Sequence, residues 1–261
     1  TMTDNMVYDA TMTPSQADGK HSGIPDDRWV FTSRSSAVNY GSIAALSAAA
    51  RAIREYNPKL ATEALKRAEL AWEEEQSHPP FLFHHGNTTG GRLNAEKLTA
   101  AAELLMTTES EHYKQAINTL WPEVEAHFAQ HIGTLIRLIP LMGEKYKQKI
   151  AGLAKDYVNE GKHITQDNPF NVTITEGGWA GNGRIIRDAI HHYYLVKAFP
   201  GLLEPDAVFD GLHYLYGTHP DSDISLVSNV GTVSKSVAYG MNRADFSFIS
   251  GGVVPGILII K

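Results

Sequence analysis

The sequence predicts an all-α fold: an α/α toroid, or barrel, of helical hairpins with long loops and a little β structure in the tail. Three observations support this class. Apolar residues recur at helical spacing through most of the 261 residues, short turns join successive helices, and three long loops separate the hairpins. No sequence repeat of fixed period is evident, which argues against a regular solenoid. We expect one domain over residues 1–261, cut within the fold at both ends.

The first predicted hairpin covers residues 36–77. Ser35 and Ser36 are suitable N-cap residues, and the apolar residues that follow up to position 55 have helical spacing. Asn57-Pro58 ends this helix and starts the next, because proline is tolerated only in the first turn. A connection this short makes the two helices antiparallel neighbours.

Five further helices complete the prediction. Three long loops connect or follow the hairpins, and loops of this length in a compact domain more often carry function than not. The predicted helices are 94–106, 112–138, 144–160, 183–199 and 205–216, and the long loops are 76–93, 163–182 and 217–261.

Composition excludes several classes of partner and chemistry. The net charge is -6 and no basic block occurs, so neither nucleic acid nor an anionic membrane is an expected partner. No apolar run approaches the roughly 18 residues that cross a bilayer. The absence of cysteine excludes disulfides and thiol chemistry, and no signal peptide is visible in the first residues.

Aromatic residues and histidines among glycines in the loops are candidate platforms for a flat ligand such as a sugar ring. Trp29 follows Arg28 before the first helix, and His84-His85 lie in the loop 83–91. Trp179 follows Gly178 and precedes Gly181 by two residues, and these nearby glycines let backbone and ring approach a ligand closely. The alternative is that these rings plug the ends of the barrel. Trp72 and Trp121 lie within helices, where we expect core packing.

Acidic residues that could act in catalysis are few. Asp26 and Asp27 precede Arg28, and an adjacent guanidinium favours an ionised aspartate, suited to a base or to accepting a sugar hydroxyl. A salt bridge that shapes the loop is the interpretation we favour for them. Glu176, just before Gly-Gly-Trp, is a further candidate at the same cleft.

Metal signals are weak. His84 and His85 are adjacent, point to opposite sides of an extended backbone and have neither the i, i+4 spacing nor a cysteine partner of zinc sites. Asp221 and Asp223 give a weak indication of calcium. No cofactor is otherwise expected.

Several of these segments resemble the family 9 glycoside hydrolases, the inverting endoglucanase family, over most of the chain. The resemblance implies a glycosidase toroid that acts on an oligo- or polysaccharide, without a cofactor, in a secreted or periplasmic protein. The matching segments are 7–8 with 24–31, the Ala-rich helix and its successor at 44–72, the helix 93–105, the tryptophan–glycine–asparagine turn at 178–182, and Gly217, Pro220, Ser225 and Gly231.

Two departures from the family pattern qualify this resemblance. The family's His-His-Arg substrate loop is replaced by 239–243, which keeps only Arg243, so we expect a divergent branch acting on a β-glucan or related glycan. The family's Asp-Ala-Gly-Asp base motif is absent, and its glutamate acid would lie beyond the last residue. The resemblance therefore implies that acid and base lie outside these residues, with Asp26 and Asp27 as the alternative within the chain.

The predicted site is a substrate cleft at the loop end of a catalytic-type domain. Arg28, Trp29, Trp179 and Arg243 are expected to converge there. Alternatives are a polysaccharide lyase or another toroid glycosidase, with Tyr239, His84 and Arg243 as catalytic candidates, or a non-catalytic carbohydrate-binding or structural domain. The complete set of predicted substrate-binding residues is Arg28, Trp29, His84, His85, Trp179, Asn182, Tyr239 and Arg243.

Overall fold

A computed structural model describes residues 6–24, 33–84, 90–165, 170–173, 181–218, 223–235 and 249–256. At 162–165 only the backbone is described. Within these ranges the chain is mainly helical, as predicted. No helix in the described part of the chain is both long and apolar enough to cross a bilayer.

Helices α1 (Ser36–Ile53) and α2 (Pro58–Gln76) form the first hairpin. The Asn57 side chain caps α2 by accepting a hydrogen bond from the Leu60 amide at 3.1 Å. At the other end Gln76 donates to the Tyr40 hydroxyl at 3.0 Å, so the end of α2 lies beside the start of α1. This confirms the antiparallel arrangement predicted from the short turn.

Helix α3 (Leu93–Thr108) packs against α1. Small residues allow the close approach, because Ala100, Ala101 and Ala102 are all fully buried. A buried carboxylate, Glu103, binds two arginines from neighbouring helices. It accepts from Arg137 Nη1 at 3.0 Å and forms a shorter contact with Arg51 Nη2.

The structure divides the segment predicted as one helix over 112–138. It consists of α4 (Glu111–Thr119), α5 (Trp121–Ala126) and α6 (Phe128–Arg137), followed by the short α7 (Ile139–Met142). Pro122 and Pro140 stand in the first turns of α5 and α7, where proline is tolerated but the preceding helix cannot continue through it. The prediction of one continuous helix was therefore wrong.

Three further helical segments follow. Helix α8 covers Glu144–Thr165, α9 covers Gly181–Ala198, and α10 covers Asp210–Leu215 after a 3₁₀ turn at Pro205–Val208. The 3₁₀ turn and α10 were predicted as one helix over 205–216. Phe209, which lies between them, belongs to neither element.

β structure is sparse among the described residues. Strands β1 (Val7–Tyr8) and β2 (His21–Ser22) pair in parallel near the start. In the tail, isolated bridges join Ser225 to Ser234 and Val227 to Val253. The β-like run predicted at the end of the chain lies mostly outside the described residues.

The core is a single large cluster built from α1 to α9, with a smaller one beside it. Trp72 is 1% exposed, which confirms its predicted packing role. Trp121 is only partly buried and packs on Tyr146 with ring centroids 6.0 Å apart. The smaller cluster joins the start of α9 to the tail through Val172, Ile185, Leu215, Leu226 and Val227.

Candidate active-site end of the barrel

The loop between α2 and α3 lies at the start of α1. The backbone amide of Ser36 donates to Phe81 O at 3.0 Å, and Ser36 Oγ accepts from the Phe81 amide at 2.9 Å. Gly90 has a φ of +77°, and a Cβ added to it would lie 3.4 Å from the backbone carbonyl carbon of Ala37. The loop therefore packs closely on the first turn of α1. We call this side of the helices, defined by the starts of α1 and α3, the loop end.

Helix directions bring the start of α9 to the same side. Arg92 Nη1, just before α3, donates to Gln130 Oε1 at 3.0 Å near the start of α6. Tyr146, early in α8, bonds to the carbonyl of Leu135 near the end of α6, whereas Tyr157 packs on Phe128 at its start. Helix α8 therefore runs towards the loop end. In α9, the His191 ring lies 6.5 Å from the Tyr157 ring, and Tyr194 lies beside Gly133, further along α6. Helix α9 therefore runs away from the loop end and begins on that side.

An exposed strip, residues 81–84, borders the start of α1 at this end. Leu82 is 73% exposed and Phe83 41% exposed, and the predicted ligand residue His84 is also exposed. Phe81 lies under the Arg34 guanidinium, whose carbon is 5.2 Å from the ring centroid. Apolar side chains left in water beside a cationic group suit a sugar-binding surface, since a pyranose offers a flat C–H face together with hydroxyls.

A second cluster at the loop end centres on the carboxylate of Glu123. Arg92 Nη2 forms a close ion pair with it, and His131 Nε2 lies 3.3 Å from Glu123 Oε1. Burial by itself raises the pKa of Glu123, but the hydrogen bonds from Arg92 and His131 and the positive charge of Arg92 lower it overall. Burial lowers the pKa of His131, partly offset by Glu123. The carboxylate is thus kept ionised and holds Arg92 in place.

Sequence reasoning did not select the Glu123 cluster. Its members lie in three separate segments of the chain, and Glu123 falls where the sequence predicted an uninterrupted helix. The available signal was Arg92, a charged side chain after two glycines and directly before a helix start.

Asn182, another predicted ligand residue, lies at the start of α9 and is 3% exposed. Its Nδ2 donates to Val254 O at 2.9 Å, and its backbone amide donates to Pro255 O at 3.1 Å. The side-chain and backbone amides of Asn182 therefore both join the start of α9 to the tail. Contact of Asn182 with substrate stays a prediction.

A polar group on α9 anchors the segment before it. Asp188 accepts a hydrogen bond from Thr173 Oγ1 and is paired with Arg184 Nε at 3.1 Å. One turn further on, His191 is 7% exposed, and its Nδ1 has no hydrogen-bond partner among the described residues. Burial lowers the pKa of His191 to about 4, against a smaller opposing effect from Asp188.

Most of the predicted ligand residues lie outside the described residues, so their expected convergence stays a prediction. Asp223, one of the two weak calcium candidates, is described and exposed, and its carbonyl oxygen would be 2.7 Å from a Cβ at Gly217. The candidates that lie outside are Asp26, Asp27, Arg28, Trp29, His85, Glu176, Trp179, Asp221, Tyr239 and Arg243.

Comparison with known proteins identifies the class. The family model for glycosyl hydrolase family 9 matches residues 1–244. The chain therefore belongs to glycosyl hydrolase family 9, as the sequence motifs indicated, and its fold is that of the family's toroid enzymes.

Individual relatives are distant. A cellulose 1,4-beta-cellobiosidase of Acetivibrio thermocellus is 24% identical over 273 residues, covering 84% of this chain and 30% of that protein. A thermostable endoglucanase from Alicyclobacillus acidocaldarius superposes with a TM-score of 0.66 at 20% identity, covering 86% of this chain and 46% of the other. A family 9 protein of Bacteroides ovatus superposes with a TM-score of 0.66 at 17% identity, covering 85% of this chain and 46% of the other. The chain thus spans less than half the length of these relatives.

Proposed function

We propose that the protein carrying this chain hydrolyses O-glycosidic bonds of a β-glucan or related polysaccharide with inversion, and that these residues supply most of its substrate cleft. The family match over residues 1–244 carries the proposal. The names of the relatives, a cellobiosidase and an endoglucanase, support a β-glucan substrate. At the loop end, the described residues that border the starts of α1 and α3 give such a polymer a place to bind.

The chemistry requires two carboxyl groups across the scissile bond. In an inverting enzyme they lie roughly 6.5–9.5 Å apart, so that the base can activate a water on the face opposite the leaving group. Glu103, Glu123 and Asp188 are each bound by an arginine, and this pairing suits a structural role better than proton donation. Following the resemblance to the family, we propose that the acid and the base lie outside this chain, with Asp26 and Asp27 as the alternative base.

The substrate side of the proposal rests on stacking. The exposed strip 81–84 offers apolar surface and His84 at the loop end. We propose that Trp29 and Trp179 add rings to this surface, and that Arg28 and Arg243 bind sugar hydroxyls. Each of these four residues occupies a loop that enters or leaves a predicted helix.

Oligosaccharide binding to the intact protein tests the cleft. Trp179→Ala should weaken the binding of a cello-oligosaccharide by about 1–3 kcal/mol, by analogy with other aromatic stacking platforms. The matched control is Tyr56→Ala, which removes an aromatic ring that is 88% exposed at the turn between α1 and α2, away from the loop end. Equal affinities for wild type and Trp179→Ala would contradict the assignment of Trp179 to the cleft.

The product distinguishes the reaction classes. NMR of fresh digests should show the α-anomer released from a β-linked glucan, because inversion changes the configuration at the anomeric carbon. An unsaturated sugar absorbing in the ultraviolet would instead identify a lyase, and binding without turnover would identify a binding domain. The variants Asp26→Ala and Asp27→Ala should keep measurable turnover. Loss of turnover in either variant would place the base in the loop that contains these two aspartates.

A further inference from the structure

A cluster of three potential metal ligands lies at the end of α2, outside the residues assigned to the cleft. Glu74 and Glu75 are in the last turn of α2, and His78 follows its end. Spacings of three and four residues place side chains on the same side of a helix. One ligand atom from each of the three residues lies within 4.8 Å of the others, and His78 Nε2 is 3.8 Å from Glu74 Oε1.

The buried member of this cluster has an unsatisfied oxygen. Glu75 is 4% exposed, and its Oε1 accepts a hydrogen bond from Asn39 Nδ2. Its Oε2 is buried and has no hydrogen-bond partner among the described residues. A buried carboxylate oxygen without a partner is costly, and a coordinated cation removes that cost.

The imidazole of His78 is oriented as a ligand. Its Nδ1 lies 2.8 Å from Pro79 O, and a carbonyl oxygen only accepts, so Nδ1 carries the proton. In the neutral ring Nε2 then keeps a free lone pair, and this atom too is buried without a hydrogen-bond partner in the described structure. Metal-binding histidines usually donate their second N–H to a carbonyl or carboxylate in this way.

The Lys97 ammonium is engaged elsewhere. Lys97 interacts electrostatically with Glu75, but its ammonium donates to Gln76 Oε1 at 2.7 Å. It also lies over the Tyr40 and Trp72 rings, 5.6 and 5.7 Å from their centroids. Glu75 Oε2 remains open to a second cation.

We propose that Glu74, Glu75 and His78 bind a divalent zinc ion. One imidazole nitrogen and two carboxylate oxygens, with water in the fourth position, form a ligand set that zinc accepts. The bound ion would link the end of α2 to the segment that leads into the exposed strip 81–84. The His78 ring already packs on Phe81 with centroids 4.7 Å apart, so the ion would stabilise the base of that strip.

Zinc titration of the intact, chelator-treated protein tests the site. We expect one saturable site by calorimetry, with affinity lowered at least tenfold in Glu75→Gln and in His78→Gln. Zinc should raise the melting temperature of wild type and not that of either variant. The matched control is His21→Gln, because His21 pairs with the single carboxylate of Asp18 at 3.1 Å and lies outside the cluster.

Unchanged zinc affinity in Glu75→Gln and His78→Gln, or no saturable binding by wild type, would overturn the proposal. Saturable binding of calcium but not zinc would overturn the choice of metal. Glutamine at position 75 keeps an oxygen acceptor for Asn39, so we expect that variant to fold. If it does not, Glu74→Gln applies the same test at a side chain that is 59% exposed.

Discussion

Glu103 is the residue at which three helices are joined by charge, because Arg51 from α1 and Arg137 from α6 both bind its carboxylate in α3. We expect Glu103→Gln to lower the free energy of unfolding by about 1–3 kcal/mol, since it leaves two arginines without their anionic partner. Both arginines keep about a third of their side chains exposed, which holds the loss below that for a fully buried pair. Urea unfolding of wild type and Glu103→Gln at neutral pH measures this change in the free energy of unfolding.

The control for Glu103 is an exposed pair of the same residue types. Glu63 binds Arg67 Nε at 2.7 Å on the surface of α2, and Glu63→Gln should change the unfolding free energy by no more than about 0.5 kcal/mol. Equal effects of the two substitutions would show that burial of Glu103 adds nothing to stability.

His191 makes stability depend on pH. The unfolded chain protonates this ring near pH 6.5, whereas burial in the folded state delays protonation to about pH 4. The stability it contributes is therefore fully present above about pH 6.5 and is lost as the pH falls through about 4. After a discount for solvent screening of the incompletely enclosed ring, we expect a loss of about 2 kcal/mol.

The contribution of His191 is isolated by comparing the pH dependence of unfolding in wild type and His191→Gln. The lowered pKa values of His131 and Glu123 add to acid destabilisation in both proteins and cancel in the difference. The control is His21→Gln, at a half-exposed side chain, which should not change the loss of stability between pH 6.5 and 4. A His191→Gln profile parallel to wild type would contradict the assignment.

At the scale of elements, the sequence predicted a helix boundary correctly where the signal for it lies within a few neighbouring residues. Asn57-Pro58 fixed the start of α2, because both the cap and the proline act within four residues. The division of the segment into α4, α5 and α6 was missed although Pro122 was visible. Hydrophobic spacing continues across these breaks, and it dominated the sequence prediction.

The junction of α9 with the tail depends on one glycine. Gly256 has φ of +113°, and a Cβ there would lie 2.7 Å from the backbone nitrogen of Asn182. We expect Gly256→Ala to destabilise by about 2–3 kcal/mol, from backbone strain together with the clash. Gly251→Ala is the matched control: its φ is +78° with nothing within 4 Å, so only the strain of about 1 kcal/mol applies. Equal losses in thermal unfolding would exclude the clash.

At the scale of the whole molecule, the two hydrophobic clusters differ in size. Among the described residues the main cluster has 25 buried members and the cluster at the tail has five. Opening the smaller one exposes less apolar surface, so we expect it to open first. In hydrogen exchange of the intact protein, amides at Leu226 and Val227 should exchange before those at Leu104 and Leu105. The reverse order would contradict this ranking.

The candidate site was less predictable than the fold for a physical reason. A helix start depends on contacts within a few residues, whereas the loop end is assembled by pairs such as Arg92 with Glu123, which no local pattern reveals. Asn182 was selected from a motif, yet the hydrogen bonds of its side-chain and backbone amides to the tail required the structure. Family resemblance supplied the sugar chemistry, which residue spacing alone did not.

The bond from Asn182 to Val254 also sets an order of events during synthesis. The two residues are 72 positions apart in the sequence, whereas the hydrogen bond between Leu60 and Asn57 spans only three positions. Contacts of long sequence separation form late, and on the ribosome the N-terminal hairpins are complete before residue 254 emerges. A nascent chain halted near residue 250 would hold folded α1 to α3 but leave the start of α9 without its partner. Limited proteolysis of such a stalled chain should therefore cut first in front of α9.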